Sequence, residues 1–319
     1  MRMDINASAL SDFIGQEKLI AQLADYVVAA KDRGEMPEHV LISGPGGLGK
    51  TRLARIVAEI LGGEFREKIS SAVDKVGPMA KFLMSIKSGV VLIDEIHRLK
   101  AVAEELLYGA LQDGVITVEG IPKPVEIPPF TLIGATTLPG KLSVSLRDRF
   151  KFKGYVDYYS TDELANIIWR AAFALGIRIE DDAAEFLAVR SRGTPRRAEE
   201  LLGHARNRAQ LKATARGEHG LPLVITLADA DEAMTLHDID VVGLDEFDRK
   251  VLEYIAIQRM GTRVGVDAIG RGVGTDPSAA LAYLDRIGLV GGSGNGRTAT
   301  SRAYPVLGLD VPAVCLEWR

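Results

Sequence analysis

The run Gly44-Pro45-Gly46-Gly47-Leu48-Gly49-Lys50-Thr51 constrains this chain more than any other part of it. It is a complete G-x-x-x-x-G-K-T phosphate-binding loop. Glycines let backbone N–H groups turn inward around phosphates, and the helix that follows aims its positive end at them. Lys50 supplies a point charge for the β- and γ-phosphates, and the Thr51 hydroxyl is a ligand for Mg²⁺. The loop works only between a strand and a helix, so it dictates an α/β layer around it.

The flanking sequence agrees. His39–Ser43 is a short apolar run that stops at Gly44, and Thr51–Leu61 has helical spacing. Gly89–Ile93 is a second buried-strand candidate and ends in Asp94-Glu95. Phe130–Ala135 is a third and ends in Thr136-Thr137. Gln16–Lys31 carries apolar residues at helical spacing. All three strands place polar residues at their C-terminal ends, where open parallel sheets bind ligands.

Beyond the third strand the pattern changes. From Thr161 to Asp238 no strand is expected, and helices are expected over Thr161–Leu175, Asp181–Ser191, Pro195–Lys212 and Ala228–Leu236, with a loop over Ala215–Gly220. From Gly243 onward three helices are expected, over Asp245–Arg259, Val266–Arg271 and Pro277–Ile287. A glycine-rich turn, Gly291–Gly296, follows and joins Leu289-Val290 to Arg297–Thr300. Three helices closed by a two-stranded hairpin is the winged-helix pattern.

Composition narrows the class further. The 319 residues carry 39 Lys and Arg against 43 Asp and Glu, a net charge of −4, which excludes a globally basic nucleic-acid coat but not a local basic strip. The only cysteine, Cys315, leaves no disulfide framework and no Cys-rich zinc site. The N-terminus lacks the apolar core of a signal peptide, and no apolar run approaches the ~18 residues of a membrane span. A cytoplasmic protein, not bound to a membrane, is the expectation.

The candidate chemistry starts from carboxylates. Some 40 residues after the loop, Asp94 is placed to hold the Mg²⁺ shell and Glu95 to polarise the water that attacks the γ-phosphate. His97, next door in the sequence, reads as a residue of packing or of the site's outer surroundings rather than a ligand. Thr137 is either a strand-end turn residue or a hydrogen-bond partner of the γ-phosphate or its water. Arg147-Asp148-Arg149 before Phe150 is either a surface ion-pair cluster or the source of an arginine finger. Thr194-Pro195-Arg196 starts a helix whose arginine faces water or nucleotide.

In combination these elements follow the order found in AAA+ ATPases, and their wording resembles the RuvB family. The resemblance rests on Phe13-Ile14-Gly15-Gln16-Glu17, the phosphate loop, Ile93–Leu99, Pro128–Thr137, Leu146–Phe150, Arg190–Arg196 and Gly243–Lys250, and runs from Asp12 to Leu307. It implies an α/β fold with an AAA+ P-loop parallel-sheet domain (residues 1–158), a small helical lid domain (159–240) and a C-terminal winged-helix domain (241–319). It implies that Phe13 and Ile14 border the adenine. Gly44, Gly46, Gly47, Leu48, Gly49, Lys50, Thr51 and Arg52 would hold phosphates and metal, with Thr51 and Asp94 on Mg²⁺. Glu95 would activate water, Thr137 would be the first sensor, Arg149 the finger, and Tyr159 and Arg196 lid residues on ATP, Arg196 as second sensor. Arg297 would contact DNA from the wing.

The resemblance further implies a ring, expected to be a hexamer, that moves four-way junction or duplex DNA with energy from ATP, and a RuvA-type partner. Several positions depart from the family pattern. Asn6-Ala7 replace an arginine-proline pair, Pro45-Gly46 stand where two prolines are usual, and Arg52 replaces a small hydroxyl residue. The Asp113–Pro129 segment is shorter than the family's RuvA-gripping hairpin. Gly292 and Gly294-Asn295-Gly296-Arg297 replace a more basic wing, which lowers the expected phosphate contacts and salt slope. The alternatives are a clamp-loader-like factor, which calls for a helical collar after the lid, and a protein-remodelling motor, which calls for an aromatic pore loop absent between Glu64 and Lys87.

Overall fold

The structure is a computed structural model and describes residues 10, 13–118, 120–218, 222–258, 262–292 and 296–312. The expectations that fall on Asn6, Ala7, Asp12, His219, Gly220, Arg259, residues 293–295 and Cys315 lie outside the described residues. The chain divides into two compact units, residues 1–167 with 194–196, and residues 168–193 with 197–319.

The first unit is a five-stranded parallel sheet flanked by helices. Its strands are β1 (Val40–Ser43), β2 (Glu64–Ile69), β3 (Gly89–Asp94), β6 (Phe130–Thr136) and β7 (Phe152–Tyr155). A separate two-stranded hairpin, β4 (Val115–Ile116) with β5 (Val125–Glu126), lies between β3 and β6 in the chain. The sheet order is β2-β3-β6-β1-β7, so the three strands expected from the sequence occupy its centre. β3 and β6 are buried almost throughout because helices cover both faces, the usual state of a parallel sheet. On one face Leu41, Val91, Ile93 and Leu132 meet Met79, Leu83, Ala103 and Leu107 from the helices Val76–Met84 and Ala101–Gln112. The helix Lys50–Leu61 packs on β3.

The second unit begins within the helix Thr161–Ala174. The helices Asp181–Arg190, Pro195–Ala215 and Leu227–Leu236 follow, close to the expected spans. The expectation that this segment holds no strand is corrected: β8 (Arg178–Ile179) pairs in parallel with β9 (Val224–Ile225). Two residues per strand are too short to leave a periodic signal.

The C-terminal part of this unit has the helices Glu246–Glu253, Val266–Val273 and Ser278–Arg286 and an antiparallel pair, β10 (Val290–Gly291) with β11 (Thr298–Ala299). The first helix passes into a π-helical turn at Tyr254–Gln258. Leu244, Val251, Ile255, Ile269, Leu284 and Tyr304 form its core.

Candidate nucleotide site

Strand register assembles the site. Ser43 at the end of β1 pairs with Thr136 at the end of β6, and Ile93 of β3 pairs with Gly134 two residues earlier on β6. The phosphate loop, Asp94-Glu95 and Thr136-Thr137 therefore emerge side by side at the C-terminal edge of three adjacent strands. This is the crevice in which doubly wound sheets bind ligands.

The phosphate loop needs its glycines for two different reasons. Gly44 has φ +143°, and a Cβ there would stand 2.3 Å from the Val156 carbonyl oxygen, so it is fixed by the backbone beside it. Gly47 and Gly49 have φ of +78° and +90°, which turn the loop into the helix that starts at Lys50. Lys50 is buried, and its ammonium donates to the carbonyls of Gly44 at 2.8 Å and Pro45 at 2.7 Å. Burial lowers the Lys50 pKa, against the opposing pull of Glu95 and Asp94. Leu48 is fully buried, and Arg52 points from the helix into solvent.

Glu95 has a left-handed backbone (φ +50°), which is rare for a residue with a side chain. Its Oε2 accepts the Thr137 hydroxyl at 3.0 Å and the Thr137 N–H at 3.3 Å. The His97 Nδ1 lies 3.1 Å from the same oxygen and 2.9 Å from the Thr136 hydroxyl oxygen. Burial lowers the His97 pKa despite the attraction of Glu95, which favours the neutral imidazole. His97 thus packs directly on the carboxylate. Asp94 is half-buried and accepts the Glu95 N–H at 3.0 Å.

Phe13 and Tyr159 both reach Gly49: a Cβ there would lie 3.2 Å from the Phe13 ring and 3.8 Å from the Tyr159 hydroxyl oxygen. Tyr159 donates to the Leu48 carbonyl at 3.1 Å, and burial raises its pKa far above that of an ordinary phenol. Ile14, beside Phe13, is half-buried. The Arg196 N–H donates to the Gly47 carbonyl at 3.3 Å, and its guanidinium is exposed near Lys50.

Arg149 stands elsewhere. Its neighbour Phe150 is buried against Gly134, where a Cβ would lie 2.9 Å from the ring, and the Lys151 N–H donates to the His39 carbonyl. His39 precedes β1, so Arg149 sits at the N-terminal end of the strands. The P-loop of the same chain begins at the other end of β1, about 13 Å away for a four-residue strand. The guanidinium lies 4.4 Å from the Tyr108 ring and donates to Gln112 Oε1 at 2.6 Å. It borders a cleft of about 540 Å³ with His39, Pro129 and Lys151. Arg147 is half-buried beside it.

Arg297 lies in the C-terminal part of the other unit, half-buried, and its backbone exchanges two 2.8 Å hydrogen bonds with Val264.

Thr51 and Asp94 offer one hydroxyl and one carboxylate oxygen, both hard donors and both partly exposed. Among the described residues no cluster of three His, Cys, Asp or Glu side chains forms an all-protein metal cage. The pair fits Mg²⁺, which keeps several waters and completes its shell with phosphate oxygens. No described helix is long and apolar enough to cross a membrane.

A parallel sheet that presents a phosphate loop, an Asp-Glu strand end and a Thr strand end, continued by a helical lid, defines a P-loop nucleotide hydrolase of the AAA+ class. Residues 5–156 match the family model described as the Holliday junction DNA helicase RuvB P-loop domain, and residues 159–240 match the RuvB AAA lid domain. The Holliday junction branch migration complex subunit RuvB of Corynebacterium glutamicum is 41% identical over 319 residues, 97% of this chain and 86% of that protein. That of Nocardia farcinica is 42% identical, covering 97% and 87%. Among solved structures, the Thermotoga maritima RuvB Holliday junction branch migration motor superposes with a TM-score of 0.84 at 40% identity, over 95% of this chain and 98% of that one. The chain belongs to the RuvB family.

Proposed function

We propose that this protein is an ATP-driven motor that migrates Holliday junctions in the cytoplasm as a closed, six-membered ring. The observation that carries the reading is the position of Arg149, at the opposite end of the sheet from the P-loop of its own chain. A cation displayed there serves a nucleotide only in a neighbouring subunit, and head-to-tail contacts of that kind close into rings. Three domains divide the work: 1–158 binds and hydrolyses ATP, 159–240 is the lid, and 241–319 is a winged helix on DNA.

Within the site, Lys50 exchanges the Gly44 and Pro45 carbonyls for the β- and γ-phosphates. Thr51 and Asp94 hold Mg²⁺, which when bound neutralises charge on the phosphate oxygens. Glu95 takes the proton of the attacking water, with Thr137 and His97 setting the direction of its carboxylate. Phe13, Ile14 and Tyr159 enclose the adenine side, and Arg196 reports the state of the phosphates to the lid. Arg149 of the adjoining subunit stabilises the transferred phosphoryl group.

The β4–β5 hairpin, the position that the resemblance gives to a RuvA-type partner, has two residue pairs. This supports a smaller contact with such a partner than the family pattern implies. Arg297 is the remaining arginine of the β10–β11 turn and is placed to reach DNA phosphate.

The test is ATP turnover titrated with a four-way junction, linear duplex or no DNA, at two salt concentrations, together with gel-resolved branch migration. Stimulation by the junction and conversion of junction to duplex products are expected. Turnover indifferent to every DNA would move the assignment to a protein substrate.

A further inference from the structure

In the second unit Arg192 joins segments that lie more than 50 residues apart in the chain. It follows the helix Asp181–Arg190 and adopts a left-handed backbone, φ +53°, that side-chain-bearing residues avoid. That turn sends its guanidinium away from the lid and into the start of the C-terminal helices. Nε donates to the Gly243 carbonyl at 2.8 Å, and Nη2 donates to Asp245 Oδ2 at 2.9 Å and Asp248 Oδ2 at 2.5 Å. The guanidinium also lies 4.8 Å from the Tyr283 ring.

These partners are themselves fixed. Asp245 and Asp248 cap the helix Glu246–Glu253 reciprocally, each accepting the backbone N–H of the other. The Asp248 side chain is only 3% exposed and that of Arg192 17%. A second arginine, Arg286, donates to the Arg192 carbonyl at 2.6 Å, and the Tyr283 hydroxyl donates to the Val242 carbonyl. The backbones meet as well: Gly243 has φ +81°, and a Cβ there would stand 2.5 Å from the Arg190 carbonyl oxygen. A buried ion pair this well satisfied fixes geometry more than it adds stability, because desolvation offsets most of the attraction.

Arg192 also has a significant place in the chain. Gly193 and Thr194 follow it, and Arg196, whose N–H meets the phosphate loop at Gly47, comes four residues later. We infer that Arg192 is a positioning residue that clasps the lid to the C-terminal domain, so that the two move as one body. A displacement of Arg196 by nucleotide then reaches the DNA-binding helices undiminished. The coupling half of this inference rests on the motor reading proposed above, whereas the clasp itself does not.

The experiment uses full-length Arg192→Met, which keeps the stem over Tyr283 but removes the guanidinium, together with Arg192→Lys and Asp248→Asn. Spin labels at Glu185→Cys and Glu253→Cys, in a Cys315→Ser background, report the lid-to-C-domain distance with ADP or a non-hydrolysable ATP analogue. The unsubstituted clasp is expected to give one narrow distribution in both nucleotides, and Arg192→Met a broad one, with Arg192→Lys between them. DNA-free ATP turnover of Arg192→Met stays within about twofold, whereas junction migrated per ATP falls about tenfold, a usual size for coupling between sites. If Arg192→Met does not fold, as judged by circular dichroism, Asp248→Asn carries the same expectations.

A narrow distribution in the folded variants, or an undiminished migration yield per ATP, overturns the inference. Failure of the unsubstituted protein to migrate junctions overturns the motor reading instead, and the label distances still decide the clasp.

Discussion

The Thr137 hydroxyl donates to Glu95 Oε2 at 3.0 Å, tying the end of one central strand to the carboxylate at the end of its neighbour. Without the hydroxyl, Glu95 keeps His97 and the backbone N–H but loses the contact best placed to exchange for the γ-phosphate. Thr137→Val is therefore expected to slow ATP turnover about tenfold to a hundredfold. Affinity for a fluorescent ATP analogue should stay nearly unchanged. Loss of affinity in the same proportion would place Thr137 in binding rather than hydrolysis.

Glu95 itself pays for its position, since a left-handed backbone costs an L residue about 1–2 kcal/mol. Glu95→Gln keeps the shape and hydrogen bonds but cannot take a proton. Single-turnover hydrolysis should fall by about 10² to 10⁴ while nucleotide remains trapped. Glu95→Gly should hydrolyse as slowly yet unfold at a higher denaturant concentration. An active Glu95→Gln protein would remove the carboxylate from the chemistry.

Gly44 answers to the fold before it answers to nucleotide. Gly44→Ala places a methyl 2.3 Å from the Val156 carbonyl oxygen and is expected to cost about 2–4 kcal/mol in urea unfolding with no nucleotide present. Unchanged stability would mean that the loop yields at this point.

His39 makes the first unit sensitive to acid. Burial lowers its pKa, and the Leu111 carbonyl and Glu38 only partly offset that. Its Nδ1 accepts the Leu132 N–H at 3.1 Å, which an imidazolium cannot do. The folded chain therefore keeps His39 neutral where the unfolded chain has begun to bind a proton. Stability from this group is full above about pH 6.5 and is lost as the pH falls toward the depressed folded value. His39→Asn keeps an acceptor without the titration, so its stability should decline less than that of the natural sequence as the pH falls below about 6.5. Parallel curves would show that His39 protonates freely in the fold.

Central features were legible from the sequence because they are imposed locally. β1, β3 and β6 are unbroken apolar runs that end in polar residues, and the phosphate loop declares its own strand and helix. The edge strands were not legible. β2 reads Glu-Phe-Arg-Glu-Lys-Ile and β7 Phe-Lys-Gly-Tyr, since an edge is half exposed and pairing on one side suffices to hold it. The helix Ala101–Gln112, which carries Tyr108 and Gln112 to Arg149, is equally hard to read from the chain alone.

The same limit applies to individual side chains. Nothing local marks Glu95 as left-handed, and the contact of His97 with it depends on strand register. Arg192 reads as one more arginine in a charged stretch because its partners Gly243, Asp245 and Asp248 lie more than 50 residues away.

The central claim is that one polypeptide builds only part of a hydrolysis centre and a neighbour completes it with Arg149. The most direct measurement mixes two inactive proteins, Lys50→Ala and Arg149→Ala, and follows ATP turnover against mixing ratio. In mixed rings some intact Lys50 sites face an intact Arg149, so turnover should rise well above either protein alone and peak near equal amounts. A mixture no more active than its components, under conditions where the two proteins demonstrably co-assemble, would contradict the shared site.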